Sequence, residues 1–333
     1  MPIPIILGVI AGGAALYGAV KGVSGAIDHS NAKDINGEAK SMVSRASNEV
    51  EEQREITFNA LEKYGKRKLS SFDGVIADFL HTFSRLKNVE EVKTPELDKL
   101  GVGDFSSQSL TGLRNDYQAL KDAGLGLSSG LGGGAALAFG AYNGTMLLAS
   151  AGTGTAISTL SGVAATNATL AWLGGGTLAA GGGGMALGTM ILGGIVAGPA
   201  LAIFGHILGN KGEEALNNAN SNMEQARTIR DEAGLTVEKL KAIAQTTTLA
   251  SQVFQKITIQ LRRSIDEMAE VIGVYGTDYS KFNQPSREAV LCAVKFAQLI
   301  KAMIDTPILD KNGNLVVATK KRVEEIKKSI ENN

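Results

Sequence analysis

An uncharged block of 88 residues separates two charged parts of this chain. It lies between Asp122 and Lys211, contains no Asp, Glu, Lys or Arg, and holds 24 of the chain's 41 glycines. Gly, Ala, Ser and Thr contribute little free energy of transfer into a bilayer, but they let helices approach each other closely. The block is therefore predicted to form tightly packed helices that tolerate lipid.

Glycine clusters divide this block, residues 123–210, into three predicted apolar helices over 131–150, 154–173 and 184–209. Pro199 lies inside the third and is predicted to act as a hinge, because proline kinks a helix. Trp172 either anchors at a membrane interface or fills a core. The larger apolar side chains predicted to contact a membrane are Leu137, Phe139, Leu147, Leu148, Leu170, Trp172, Leu173, Met190, Ile191, Leu192, Ile195, Leu201, Ile203 and Phe204.

A second apolar segment occupies residues 1–27, where Lys21 is the one charged side chain. Because this charge follows the apolar run, the segment is predicted to be an uncleaved helix and not a secretory signal. The protein is then expected to be cytoplasmic, membrane-associated or both. Burial of this helix in a soluble bundle is the alternative. The glycines predicted to mediate helix packing in both apolar regions are Gly8, Gly12, Gly18, Gly22, Gly181, Gly184, Gly188, Gly194 and Gly198.

The first charged part, residues 28–122, is predicted to be mostly one amphipathic helix. Apolar residues recur at steps of three and four over residues 31–88, with one longer gap after Tyr64. Gly65 and Gly74 are predicted to bend this helix. A connection and a short helix complete the segment.

The second charged part, residues 211–333, begins with a predicted long helix over 212–272. Its apolar positions repeat every seven residues, which indicates packing against another long helix. A helix from Ser286, a β-hairpin around Asn312-Gly313, and a terminal helix are predicted to follow. The predicted fold is therefore all-α: an elongated bundle of long amphipathic helices with a Gly/Ala-rich apolar head and a small C-terminal β-hairpin.

Several functional classes are disfavoured by composition. The 33 basic and 33 acidic residues balance, so nucleic acid is not an expected partner. Three histidines and one cysteine do not form a spacing for metal ligands. The stretch GHILGNK, from Gly205 to Lys211, lacks the spacing and the hydroxyl of a phosphate-binding loop, and no nucleophile–base arrangement is apparent. We therefore expect no cofactor, no metal and no enzymatic activity.

The block includes SGVAATNATLAWLGGGTLAAGGGGMALG, from Ser161 to Gly188. This stretch is similar to blocks in uncharacterised bacterial proteins. The arrangement of long charged helices around an apolar head resembles α-helical pore-forming toxins of the cytolysin A type and is also similar to apolipoprotein L-like proteins. The resemblance implies insertion into a bilayer and permeabilisation. One departure from the toxins is that this head is much longer than one helical hairpin.

These observations predict a membrane-inserting helical protein that oligomerises with copies of itself and permeabilises a lipid bilayer, as a toxin or defence effector. One alternative is a constitutive membrane-anchored scaffold that binds a protein partner through its long amphipathic helices. Another is a soluble helical bundle that works by partner binding.

Overall fold

The computed structural model describes residues 29–89, 107–122, 136, 139–141, 215–310 and 313–331. This part of the chain is helical and contains no β-strand, so the predicted all-α class is confirmed. Ala136 and residues 139–141 are helical as well. The helices are α1 (His29–Ser71), a π-helical turn (Phe72–Ile76), α2 (Ala77–Phe83), α3 (Ser107–Asp122), α4 (Ala215–Tyr275), a 3-10 turn (Tyr279–Lys281), α5 (Gln284–Asp305) and α6 (Val317–Glu331).

The predicted apolar stripe of the first long helix is its buried face. Its buried members are Ala39, Ala46, Val50, Thr57, Tyr64, Phe72, Ile76, Phe79 and Leu86. The predicted bend at Gly74 is also present, because this residue has non-helical angles (φ −107°, ψ −110°) inside the π-helical turn. At Gly65, α1 continues without interruption.

The seven-residue repeat of α4 is confirmed as a line of buried residues. Small side chains occupy its first part and larger ones its second part. This line consists of Ala219, Ala226, Ala233, Leu240, Thr247, Phe254, Leu261 and Met268.

The chain forms two compact units, and both contain part of α1 and part of α4. In the first unit, residues 29–55 pair with residues 215–241. Asn222 Nδ2 donates a hydrogen bond of 2.9 Å to Asn36 Oδ1. Further along both helices, Ala39 packs with Ala226 and Ile229. Since both residue numbers increase together, the two helices run in the same direction here.

The second unit shows the same direction of pairing. The rings of Tyr64 and Phe254 lie edge to face with centroids 6.1 Å apart. At the far end, Asn88 Nδ2 donates to Asp278 Oδ1 over 3.0 Å. Parallel neighbours in one chain need a long crossover connection between them. The uncharged block lies in the connection between α2 and α4, and we call this block the crossover.

The beginning of the crossover packs directly on α1. Phe139 is buried, and its ring lies edge to face with that of Phe72 at 6.3 Å. A Cβ atom on Gly65 would collide with the carbonyl oxygen of Ala136, and one on Gly140 would collide with the carbonyl oxygen of Leu61. Glycine is therefore required on both helices, because the backbones touch at this crossing.

The predicted C-terminal β-hairpin is wrong. Leu309 and Leu315 form one isolated antiparallel bridge around a turn in which Gly313 has φ +78°. The bridge does not extend into a pair of strands, because Ile308 N and Leu309 N both donate to the Ala141 carbonyl oxygen over 2.9 Å. In addition, α6 begins at Val317, only two residues after the bridge.

The prediction of a membrane-permeabilising protein requires correction, and so does its membrane-anchored alternative. Across residues 29–89, 107–122 and 215–331, apart from the two positions 311 and 312, no helix is both long enough and apolar enough to span a bilayer. The long helices α1 and α4 fail this requirement because charged residues recur along them. The toxin, pore and transmembrane-helix predictions therefore have no support in the structure.

We expect Gly65→Ala to destabilise the protein by about 1–3 kcal/mol or more, because the added methyl group meets backbone atoms that cannot move aside. Gly234→Ala in α4 is the matched control. A Cβ there meets no atom within 4 Å, so the better helix propensity of alanine should stabilise by about 0.5–1 kcal/mol. Thermal unfolding followed by circular dichroism measures both. Equal unfolding temperatures for wild type and Gly65→Ala would contradict the close backbone contact.

Candidate functional site

The sequence-predicted membrane residues fall almost entirely outside the described part of the chain. Phe139 is the exception, and its side chain is buried against Phe72. The predicted segment 1–27 also lies outside. The remaining predicted residues outside the described part are Leu137, Leu147, Leu148, Leu170, Trp172, Leu173, Met190, Ile191, Leu192, Ile195, Leu201, Ile203 and Phe204, the glycines Gly8, Gly12, Gly18, Gly22, Gly181, Gly184, Gly188, Gly194 and Gly198, and the hinge Pro199.

The densest group of titratable side chains lies where α1, α3 and α5 meet. We call it the buried polar cluster. Its members are Tyr64, Lys68, Asp116, Lys301 and Asp305.

Two residues of α1 cap the C-terminal end of α5. Tyr64 and Lys68 are four residues apart and so lie on the same face of α1. The Tyr64 hydroxyl donates to the Met303 carbonyl oxygen over 3.4 Å, and Lys68 Nζ donates to the Ile304 carbonyl oxygen over 3.3 Å. The last carbonyls of a helix have no partners within it. Side chains of a distant helix therefore satisfy the end of α5.

Lys301 lies between two carboxylates. Its Nζ donates to both Asp305 carboxylate oxygens over 2.7 Å, and it lies 2.8 Å from Asp116 Oδ2. The side chains of Lys301 and Asp116 are only 7% and 8% exposed. Asp116 Oδ2 has no well-directed hydrogen bond, so its contact with Lys301 is mainly charge attraction. Gly112 leaves room for this arrangement, since a Cβ there would lie 3.1 Å from Lys301 Cε.

Burial shifts the pKa values of this cluster in different directions. Complete burial lowers the pKa of Lys68 to about 7, although the charge of Asp305 opposes the shift. Burial raises the pKa of Tyr64. Burial also raises the pKa of Asp116, against the opposing effect of Lys301. For Lys301, burial favours the neutral form, but its close contacts with the carboxylates of Asp116 and Asp305 outweigh this and raise its pKa.

This geometry favours a structural tie over a reacting group. A lysine that is neutral near pH 7 has the chemistry of a base or nucleophile. Lys68 has no exposed surface, however, and its Nζ lies over the Tyr64 ring at 4.5 Å from the centroid. The amine thus contacts the Tyr64 ring and the Ile304 carbonyl oxygen. Three helices are joined at one polar point.

Sequence reasoning missed this cluster. The stripe on α1 had a gap between Tyr64 and Phe72, and Lys68 fills that gap on the buried face. The position of Lys68, at the helical spacing of the apolar stripe, was the signal in the sequence that could have predicted a buried lysine. The spacing gave no indication of Asp116 or Lys301, because they come from helices far apart in sequence.

A second polar group joins the end of α2 to the connection between α4 and α5. Asp278 Oδ1 accepts from Asn88 Nδ2 over 3.0 Å and from Ser280 Oγ over 2.7 Å. These hydrogen bonds lower the pKa of Asp278 to about 2. The same carboxylate accepts from the Ser280 backbone N–H and caps the 3-10 turn, so its geometry is that of a structural cap.

No metal site is apparent among the residues that the structure describes, since they contain no group of three or more His, Cys, Asp or Glu side chains placed to hold an ion. The chain matches no protein-family model, no curated protein and no solved structure. A function must therefore be argued from the contacts of this chain itself.

Removing the Lys301 ammonium should strongly destabilise the protein. We expect Lys301→Met to cost about 3–5 kcal/mol, because Asp116 is left buried without its counter-charge. The double variant Asp116→Leu/Lys301→Met should lose less than the two single variants together. Urea unfolding measures these differences.

The matched control for this experiment is Lys321→Met on α6. Its ammonium is 83% exposed and lies 3.9 Å from Glu325, so its loss should cost at most about 1 kcal/mol. If Lys301→Met and Lys321→Met were equally stable, the buried polar cluster would not be the tie described.

Proposed function

We propose that this is a non-catalytic helical protein that binds another helical protein through residues 29–55 of α1 and 215–241 of α4. We call these segments the two-helix unit. Each segment has 27 residues and is roughly 40 Å long. The proposal rests on one observation, the narrowness of the apolar seam between the two helices.

Alanine accounts for five of the eight buried apolar residues described in this seam: Ala39, Ala46, Val50, Ala219, Ala226, Ile229, Ala233 and Leu240. Met42, Val43 and Met223 pack against it and are only partly buried. Alanine buries little apolar area, and helical stability in proteins comes mainly from packing. A further helix would add apolar contacts to this pair. The alanine-rich seam therefore favours partner binding over catalysis.

Exposed charge on the two helices makes a second copy of the chain the first partner to test. The end of the α1 segment exposes an acidic group: Glu49, Glu51, Glu52 and Glu55. The α4 segment exposes as many basic as acidic residues: Arg227, Arg230, Lys239 and Lys241 lie among Glu224, Asp231, Glu232 and Glu238. The acidic end of α1 in one copy can form ion pairs with these basic residues in another.

The ion pairs described in the two-helix unit leave these charges available for exchange. Each of them joins residues of the same helix: Arg54–Glu51, Arg227–Glu224, Arg230–Asp231 and Lys241–Glu238. Exposed pairs of this kind stabilise by about 0–1 kcal/mol. Replacing them with pairs across an interface therefore costs little.

Sedimentation velocity of the purified full chain, from low to high micromolar concentration, tests the proposal. We expect reversible association that weakens in high salt, because exposed charges are screened. Leu235 is 66% exposed in the two-helix unit, and Leu235→Glu should weaken association several-fold. Ile259→Glu is the matched control, since Ile259 is 47% exposed and lies in the other unit.

A monomer at every concentration and salt level would exclude a second copy as the partner. Photo-crosslinking in cells from position 235, compared with position 259, then tests binding of a different protein. Absence of any product specific to position 235 would refute partner binding through the two-helix unit.

A further inference from the structure

The last residues of α5 and the segment after it hold two other parts of the chain at once. We call residues 303–309 the clamp. On one side, its first two carbonyl oxygens accept from Tyr64 and Lys68 of α1. On the other side, its last two N–H groups donate to the carbonyl oxygen of Ala141 in the crossover.

The clamp and the crossover contact α1 at neighbouring residues. The clamp accepts a hydrogen bond from Tyr64, and the crossover backbone touches Gly65, the next residue in sequence. The crossover is thus held by direct contact with α1 and by hydrogen bonds from the clamp. Displacing the clamp from α1 would break its hydrogen bonds with Tyr64 and Lys68 and would shift the residues that bind Ala141.

Lys68 is the unusual component of this arrangement. Its side chain is fully buried, and within the described part of the chain its Nζ donates one hydrogen bond, to Ile304 O. An ammonium has three N–H donors. Among the described residues, the charged form therefore has one hydrogen-bond acceptor in the closed clamp, whereas water would satisfy all three donors once the clamp opened.

The titratable groups around Lys68 come from three helices. Tyr64 shares α1 with it, Asp116 comes from α3, and Lys301 and Asp305 come from α5. Both carboxylate oxygens of Asp305 already bind Lys301 at 2.7 Å. Asp305 also attracts the Lys68 amine through its charge.

We propose that the clamp is a proton-sensitive lock, in which opening exposes the Lys68 amine and takes up a proton. The start of the crossover is then released from α1 more readily at neutral pH than at alkaline pH. This inference concerns the second compact unit and does not depend on the proposed binding through the two-helix unit.

The direction of the pH effect follows from the two states of the amine. In the closed clamp burial lowers the pKa of Lys68 to about 7, and in the open clamp it returns toward 10.5. Between these values the open state binds more protons. The equilibrium constant for opening should increase by up to about tenfold for each unit that the pH falls, and level off below pH about 7.

The other shifted pKa values in the cluster have the opposite effect on opening. The pKa values of Tyr64 and Lys301 are raised from 10.0 and 10.5, so these groups affect opening above pH about 10 and in the opposite direction. Burial raises the pKa of Asp116 from 3.8, so its effect on opening is opposite in direction to that of Lys68. In the described cluster, the pKa shift of Lys68 is thus the one that favours opening as the pH falls from about 10.5 to about 7.

Hydrogen exchange of the full chain, read by mass spectrometry and corrected for the intrinsic rate at each pH, tests the lock. The reporters are the amides of Ile308 and Leu309, which bind Ala141 O. We expect their protection to be at least tenfold greater at pH about 9 than at pH about 7. In Lys68→Met this difference should disappear.

The matched control is Lys66→Met, two residues away on α1. Its ammonium is 62% exposed and pairs with Glu62 at 2.7 Å, so the variant should keep the pH dependence of the wild type. If Lys68→Met does not fold, Asp305→Asn replaces it. Loss of the attracting charge should extend the pH dependence to lower pH. Equal protection of the wild type at both pH values, or a dependence that survives in Lys68→Met, would overturn the lock.

Discussion

The parallel pairing of α1 and α4 is the constraint on which the rest of the structure depends. In both compact units these helices run in the same direction, although more than a hundred residues separate them in sequence. An antiparallel pair could be joined by a short loop, but a parallel pair needs a long crossover. The uncharged block lies in this connection. Its first described residues pack against α1, which is consistent with a small-residue sequence that suits close contact between helices.

The buried polar cluster sets how α5 is held in the second unit. Most of α5 is buried, so its terminal carbonyl oxygens cannot rely on water alone. Tyr64 and Lys68 supply donors from α1, and Lys301 ties α5 to α3 through Asp116. Burying two lysines and a carboxylate costs desolvation free energy. The resulting arrangement specifies which helices meet and where, and it makes one buried amine responsive to pH.

The two compact units differ in what they bury. The first has a seam rich in alanine, whereas the second contains large apolar side chains and the polar cluster. We therefore propose different roles for them. In this proposal the first binds a partner through long charged helix faces, and the second positions the start of the crossover. Membrane permeabilisation, which the apolar block predicted, is not supported by the helices that the structure describes.

The sequence by itself determined the helical segments and their buried faces, because a helix buries residues at a period that can be counted along one chain. The heptad line from Ala219 to Met268 is an example. The bend at Gly74 was also predictable, because glycine is a common site of helix kinks. Turn residues around Gly313 predicted a hairpin, but hydrogen bonds to Ala141 and the early start of α6 left only a bridge. The partners of Lys68 and Gly65 were decided by tertiary structure alone. Burial and backbone contact depend on which distant segments meet, and no local period records that.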